Sequence, residues 1–275
     1  RVNGIPALGA ASLESLLVNQ AGRQVLLHLK SVSTGREFKS VVVPLSWEKA
    51  FNLRYADWEY SRRLTVEKES GNKIGYVHLR AMGGGNYTEW VSQFYPVFNR
   101  EGLIIDVRGN RGGNIDSWIL EKLLRKAWMY FRSRNNNPDR NMQYAFLGHI
   151  VVICNEGTSS DGELFSEGFK RLGLGKVIGT RTWGGAIGLD FDNQLLDQGM
   201  ATAAELGSYG PEGKWIIEGH GVDPDIVVDN TPHKTFAGED AQLEAAIREL
   251  QQEMKENPLH EAQPPEYPRK AMDYK

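Results

Sequence analysis

Gly102-Leu103-Ile104-Ile105-Asp106-Val107 is an apolar run that stops in Arg108-Gly109-Asn110-Arg111-Gly112-Gly113-Asn114, a turn rich in glycine. A strand apolar at successive positions must be covered on both faces, and that is how strands of parallel sheets read. The pattern recurs at His149 to Cys154, which runs into Asn155-Glu156-Gly157-Thr158-Ser159-Ser160-Asp161-Gly162-Glu163. Working outward, Ile74 to Leu79 and Lys176 to Gly179 read as strands. Tyr87 to Asn99, Ile115 to Phe131, Glu163 to Leu172 and Asp240 to Glu256 read as helices. Strands alternating with helices predict an α/β layered core.

The flanks read differently. Leu13, Leu16 and Leu17 recur at helical spacing, and Val25 to Val32 and Phe38 to Val43 alternate as two strands. Residues 1–45 therefore read as part of a small β-rich module, 46–62 as an irregular or helical connector, and 63–256 as the α/β core. Residues 257–275 hold many charges and prolines and read as an extended tail. The chain opens on Arg1 in what reads as mid-strand, which predicts a fragment with any leader or earlier domain outside it.

Composition narrows the function classes. A net charge of −3 over 275 residues supplies no basic field for nucleic acid. No stretch reaches the roughly 18 apolar residues needed to span a bilayer. One cysteine, Cys154, excludes an internal disulfide and a Cys-rich metal site. The 6 histidines are scattered and never fall at i, i+4, which gives metal binding little support.

Three segments can carry chemistry. Ser160 lies where a strand passes into a helix, beside the free N–H groups of the helix's first turn, which can hold an oxyanion. The commoner reading of the same pattern is a helix cap, with Glu163 completing a capping arrangement. The Gly109–Asn114 turn lets backbone approach a ligand, but lacks the spacing of a phosphate loop. In Trp215-Ile216-Ile217-Glu218-Gly219-His220-Gly221-Val222-Asp223-Pro224-Asp225, a carboxylate and an imidazole two residues apart in a strand would share a face.

Five motifs, in order, resemble the tail-specific and tricorn-type serine peptidases. They are Lys73 to Leu79; Leu103 to Arg108 with Gly112-Gly113; Thr158 to Glu163; Val177 to Gly185; and Gly221 to Asp225. The resemblance covers roughly residues 63–250. It implies a core of the Clp protease and crotonase type, preceded by the latter part of a PDZ-like domain in residues 1–45. It also implies acyl transfer to peptide substrates, with no metal or other cofactor needed, by a catalytic set of Ser160 as nucleophile and Glu218 as the acid that orients a base. The N–H groups of Gly113 and Asp161 would form the oxyanion hole. The tail-specific branch has its lysine base where this chain has Gly185, whereas the Ser-Asp-Gly continuation and Glu218 are similar to the tricorn branch.

There the base is a histidine that precedes the PDZ-like domain. It is therefore expected upstream of Arg1, leaving this chain alone nearly inactive; His220 is not a catalytic position in the family. The resemblance further implies a homo-oligomer. It favours a cytoplasmic setting, or one outside the cytoplasm if a leader precedes. A non-catalytic peptide-binding module is the alternative, with an acyl-CoA enzyme ranked below it for want of a basic cluster. Arg132, Arg134, Asp139 and Arg140 are expected to be solvated.

Overall fold

Five strands pair in parallel, in the order of the chain, as the computed structural model shows for residues 1–134, 138–190, 193–260 and 262–267. By contact density the chain divides into two compact units, 1–61 and 62–275.

In the first unit a 3-10 turn, Glu14–Leu17, precedes β1 (Val25–Lys30) and β2 (Glu37–Val42), which pair antiparallel from Val25↔Val42 to Lys30↔Glu37. The segment read as a connector is the start of a 23-residue helix, α1 (Trp47–Glu69), and the division between the units falls within it.

The second unit holds β3 (Ile74–His78), α2 (Gly84–Phe94), β4 (Gly102–Asp106) and α3 (Asp116–Leu123). A small hairpin, β5 (Tyr130–Phe131) and β6 (Asp139–Arg140), then precedes β7 (His149–Cys154), α4 (Asp161–Arg171) and β8 (Gly175–Gly179). A second hairpin follows, β9 (Gly188–Asp190) with β10 (Ala203–Leu206), and then β11 (Ile226–Val227), α5 (Pro232–Phe236) and α6 (Ala241–Glu256). The main sheet runs β11-β8-β7-β4-β3. Every crossover steps in one direction, and right-handed crossovers then put their helices on one face.

Alternate side chains accordingly enter two cores. Val77, Leu103, Ile105, Val152 and Val177 meet Trp90, Phe94, Ile119, Phe165 and Phe169 from α2, α3 and α4. Ile74, Tyr76, Ile104, Val151 and Ile178 meet Leu243, Ala246, Ile247 and Leu250 of α6, with Val66 of α1. Each such side chain, fully buried, contributes about 1.5–3 kcal/mol, which is what the unbroken apolar runs signalled.

Parts of the sequence reading need correction. The long helix expected over Ile115 to Phe131 stops at Leu123, because Tyr130 and Phe131 pair with Arg140 and Asp139 instead. Aromatic residues favour the pleated conformation that this pairing provides. The short strand Ile226–Val227 was hidden by its length, yet it forms one edge of the main sheet. Glu218 and His220 do not lie in a strand: positive φ at Ile217 (71°) and Gly219 (76°) folds the backbone and ends the alternation. Arg140 is half-buried and donates to the Ala145 carbonyl at 3.1 Å, so it is not merely solvated.

Candidate active site

Parallel strands deliver their carboxyl ends to one edge of the sheet, where open α/β folds build their sites. The loops after β3, β4, β7 and β8 all emerge there. Asn110, completely buried, ties three of them together. Its Nδ2 donates to the Leu79 carbonyl at 2.6 Å, its Oδ1 accepts from Gly112 N–H at 2.8 Å, and its carbonyl accepts from Ser159 N–H at 2.8 Å. Beneath the turn, Arg108 reaches Asp106 at 2.6 Å and Asp240 at 2.8 Å. Burial works against the Asp106 charge, but Arg108 outweighs it and holds the carboxyl below its usual range.

Ser160 is half-buried at the N-cap of α4, with φ 53° and ψ −125°. Left-handed backbone is costly for a residue with a Cβ, and such strain persists only where neighbours enforce it. Here they do so through its N–H, which donates to the Gly185 carbonyl at 3.0 Å and to Glu163 Oε2 at 3.1 Å. The capping arrangement read from the sequence is therefore present in part, together with a conformation that a simple cap does not need.

Gly112 lies against this serine. A Cβ on Gly112 would sit 2.5 Å from Ser160 Cβ and 3.0 Å from the Asp161 nitrogen. The next residue, Gly113, bridges to Met82 and is exposed; a Cβ there would meet the Met82 carbonyl oxygen at 1.8 Å. Both glycines are therefore required by close approach. The Asp161 carboxylate fastens the two loops to each other, accepting from the N–H groups of Ile115 at 2.8 Å and Asp116 at 3.0 Å. Burial, and then the neighbouring Asp116, pushes the Asp161 pKa up to about 7.

Glu218 Oε2 accepts from the N–H groups of Ala186 at 2.7 Å and Ile187 at 2.9 Å. Its segment thus adjoins Gly185, whose carbonyl holds Ser160. His220 turns away to Asp223, 2.7 Å from its Nε2. Among the described residues no histidine is hydrogen-bonded to Ser160. Burial pushes the Cys154 thiol up to about 12, which suits a core side chain and not a nucleophile.

The family model described as "Peptidase family S41" matches residues 73–228, a span that contains all of these loops. The chain belongs to peptidase family S41. Tricorn protease homolog 1 of Streptomyces coelicolor is 38% identical over 232 residues, covering 84% of this chain and 22% of that protein. Tricorn protease of Thermoplasma acidophilum is 32% identical over 254 residues, covering 92% of this chain and 23% of the relative. A crystal structure of the tricorn protease superposes with a TM-score of 0.82 at 34% identity, covering 93% of this chain and 25% of that one. The chain therefore spans about a quarter of the length of these relatives. The parallel-sheet core is the S41 core.

Sequence reasoning singled out Ser160, Asp161, Gly113 and Glu218, and the structure brings all four to one edge of the sheet. It missed the roles of Asn110, Arg108 and Thr182, and saw Glu163 only as a cap. Asn110 was detectable as a polar residue inside a glycine turn; Thr182 carried no local signal.

Proposed function

We propose that residues 62–275 carry the nucleophile half of a serine peptidase site that cleaves peptide bonds through an acyl-enzyme on Ser160. The observation that carries this reading is the enforced left-handed turn at Ser160, packed against Gly112 at the start of α4. In this reading the Ser160 hydroxyl adds to the peptide carbonyl as a base takes its proton. The oxyanion rests on the Gly113 and Asp161 N–H groups. The C–N bond then breaks, the proton passes to the leaving amine, and water releases the acyl group. Glu218 orients a histidine base that comes from outside the 275 residues. Self-assembly belongs to this reading on family likeness alone, as does the PDZ-like character of residues 1–45.

Fluorophosphonate labelling with peptide mapping tests it, on this chain and on the complete gene product, each with Ser160→Ala. Modification of Ser160 in the complete product alone is the expected result. Labelling of the short chain as well places the base within it and makes His220 the first suspect.

One observation favours a second reading, a peptide-binding module without catalysis. The first unit holds a largely apolar groove of about 760 Å³, lined in part by Leu8, Leu13, Leu17, Leu27, Phe38 and Val42. A groove beside a strand can take an extended peptide. Absence of labelling in both proteins moves the weight to this reading.

A further inference from the structure

Glu163 has no part in the chemistry just described, yet it is completely buried and has charge-bearing oxygens to satisfy. Among the described residues its donors are neutral groups and not cations. Its Oε1 accepts from Thr182 Oγ1 at 2.5 Å and Gly184 N–H at 2.6 Å. Its Oε2 accepts from Ser160 N–H at 3.1 Å and Gly185 N–H at 2.9 Å. These donors belong to two separate segments, the Ser160 turn and the 182–185 strap. Thr182 is fixed in turn by Val222, whose N–H donates to its hydroxyl at 2.7 Å. The strap continues into Ala186 and Ile187, which hold Glu218.

The geometry points to Glu163 as a positioning residue that locks the Ser160 turn to the strap carrying Glu218, and so sets the nucleophile against the group that orients its base. This rests on the peptidase reading above. A side chain that merely capped α4 would need only the Ser160 contact. The other three bonds fix where the strap lies, which is the variable that acyl transfer responds to. A displacement of about 1 Å in such an arrangement costs on the order of 10²-fold in rate.

Glu163→Gln tests this, because it keeps the volume and removes one acceptor. Backbone N–H groups, which can only donate, face both oxygens (Gly184 on one, Ser160 and Gly185 on the other), so either orientation of the amide sets its NH₂ against at least one of them. In the complete gene product the expected result is a fall of about 100-fold in kcat and in the rate of fluorophosphonate labelling at Ser160, with KM within about 3-fold. Circular dichroism and thermal melting establish that the variant is folded. Ser70→Ala, which removes buried bonds at the start of β3, far along the sheet from the site, supplies the comparison for simple destabilisation. Should Glu163→Gln not fold, Thr182→Val removes one donor to Glu163, and with it the acceptor of the Val222 N–H, and is expected to lower kcat about 10-fold.

Equal labelling of folded Glu163→Gln and wild type overturns the inference. So does a loss that Ser70→Ala reproduces at matched stability, or an unchanged kcat in Thr182→Val. A wild-type protein that neither labels nor hydrolyses peptides sinks the peptidase reading, and this inference with it; a reactive wild type beside an equally reactive variant sinks the inference alone.

Discussion

Glu163 and Glu218 divide four successive backbone amides between them: Gly184 and Gly185 donate to Glu163, Ala186 and Ile187 to Glu218. One carboxylate is completely buried and the other exposed, so one strap is pinned from the interior and from the surface. Because Gly185 also accepts from Ser160, both carboxylates act within a residue or two of the nucleophile's own anchor.

Exposure separates the two in their effect on stability. Glu218→Ala is expected to lower kcat by about 100-fold, the lower end of what an acid–base group contributes, while costing about 1–2 kcal/mol of stability for the two N–H bonds it accepts. Peptide hydrolysis and urea unfolding of the complete gene product check both halves. An unchanged kcat would mean that Glu218 only fastens the strap.

Gly112 makes a sharper steric prediction. Its φ is 91°, and an added Cβ would lie 2.5 Å from Ser160 Cβ. Gly112→Ala must push the serine turn or its own loop aside. The expected outcome is a loss of Ser160 labelling by about 100-fold or more, on the scale of an ångström-sized misplacement. Alanine at exposed Gly109, with nothing within 4 Å of an added Cβ but also left-handed, reports the cost of backbone strain alone. Comparable losses in the two variants would count against the steric account.

The strands of the core were legible because burial on both faces writes itself into consecutive residues, as in Leu103-Ile104-Ile105 and Ile150-Val151-Val152. The nucleophile turn was legible because a strand end, small polar residues and a helix start are adjacent in the chain. The Glu163 bonds were not, since Thr182, Gly184 and Gly185 lie 19, 21 and 22 residues away and nothing in their types announces the pairing. The turn at Ile217 was missed for a related reason. A β-branched residue at φ 71° is contrary to its local preference and is imposed by tertiary contacts.

Arg108 connects the end of β4 to the N-cap of α6. Its guanidinium bonds Asp106 at 2.6 Å and Asp240 at 2.8 Å, and all three residues are buried. Arg108→Leu keeps an apolar stem but takes the cation from buried Asp106, whereas Asp240 keeps Arg62 at 3.3 Å. Breaking a buried pair from one side costs about 3–5 kcal/mol. Urea unfolding at neutral pH should show a loss of that order, and lowering the pH should narrow the gap as the Asp106 carboxyl takes up a proton. A loss within about 1 kcal/mol would place the clamp's contribution near that of a surface ion pair.

Asp161 gives the pH dependence of the site, and its sign is opposite to that of Asp106 and Asp240. Burial and Asp116 raise its folded pKa to about 7, whereas an unfolded aspartate titrates near about 3.9. Between those values the folded state holds a proton that the unfolded state has lost, so this group's contribution falls as pH rises. It is fully present below about pH 4 and is lost once pH has passed about 7. Asp161→Asn carries no such proton. Its stability relative to wild type should therefore rise across this window and level off above it. The carboxylates held low by Arg108 act in both proteins and cancel in the difference. Urea midpoints of the two proteins at intervals from pH 4 to 8.5 measure the difference directly; parallel curves would show that Asp161 titrates as an ordinary carboxylate and that Asp116 does not press on it.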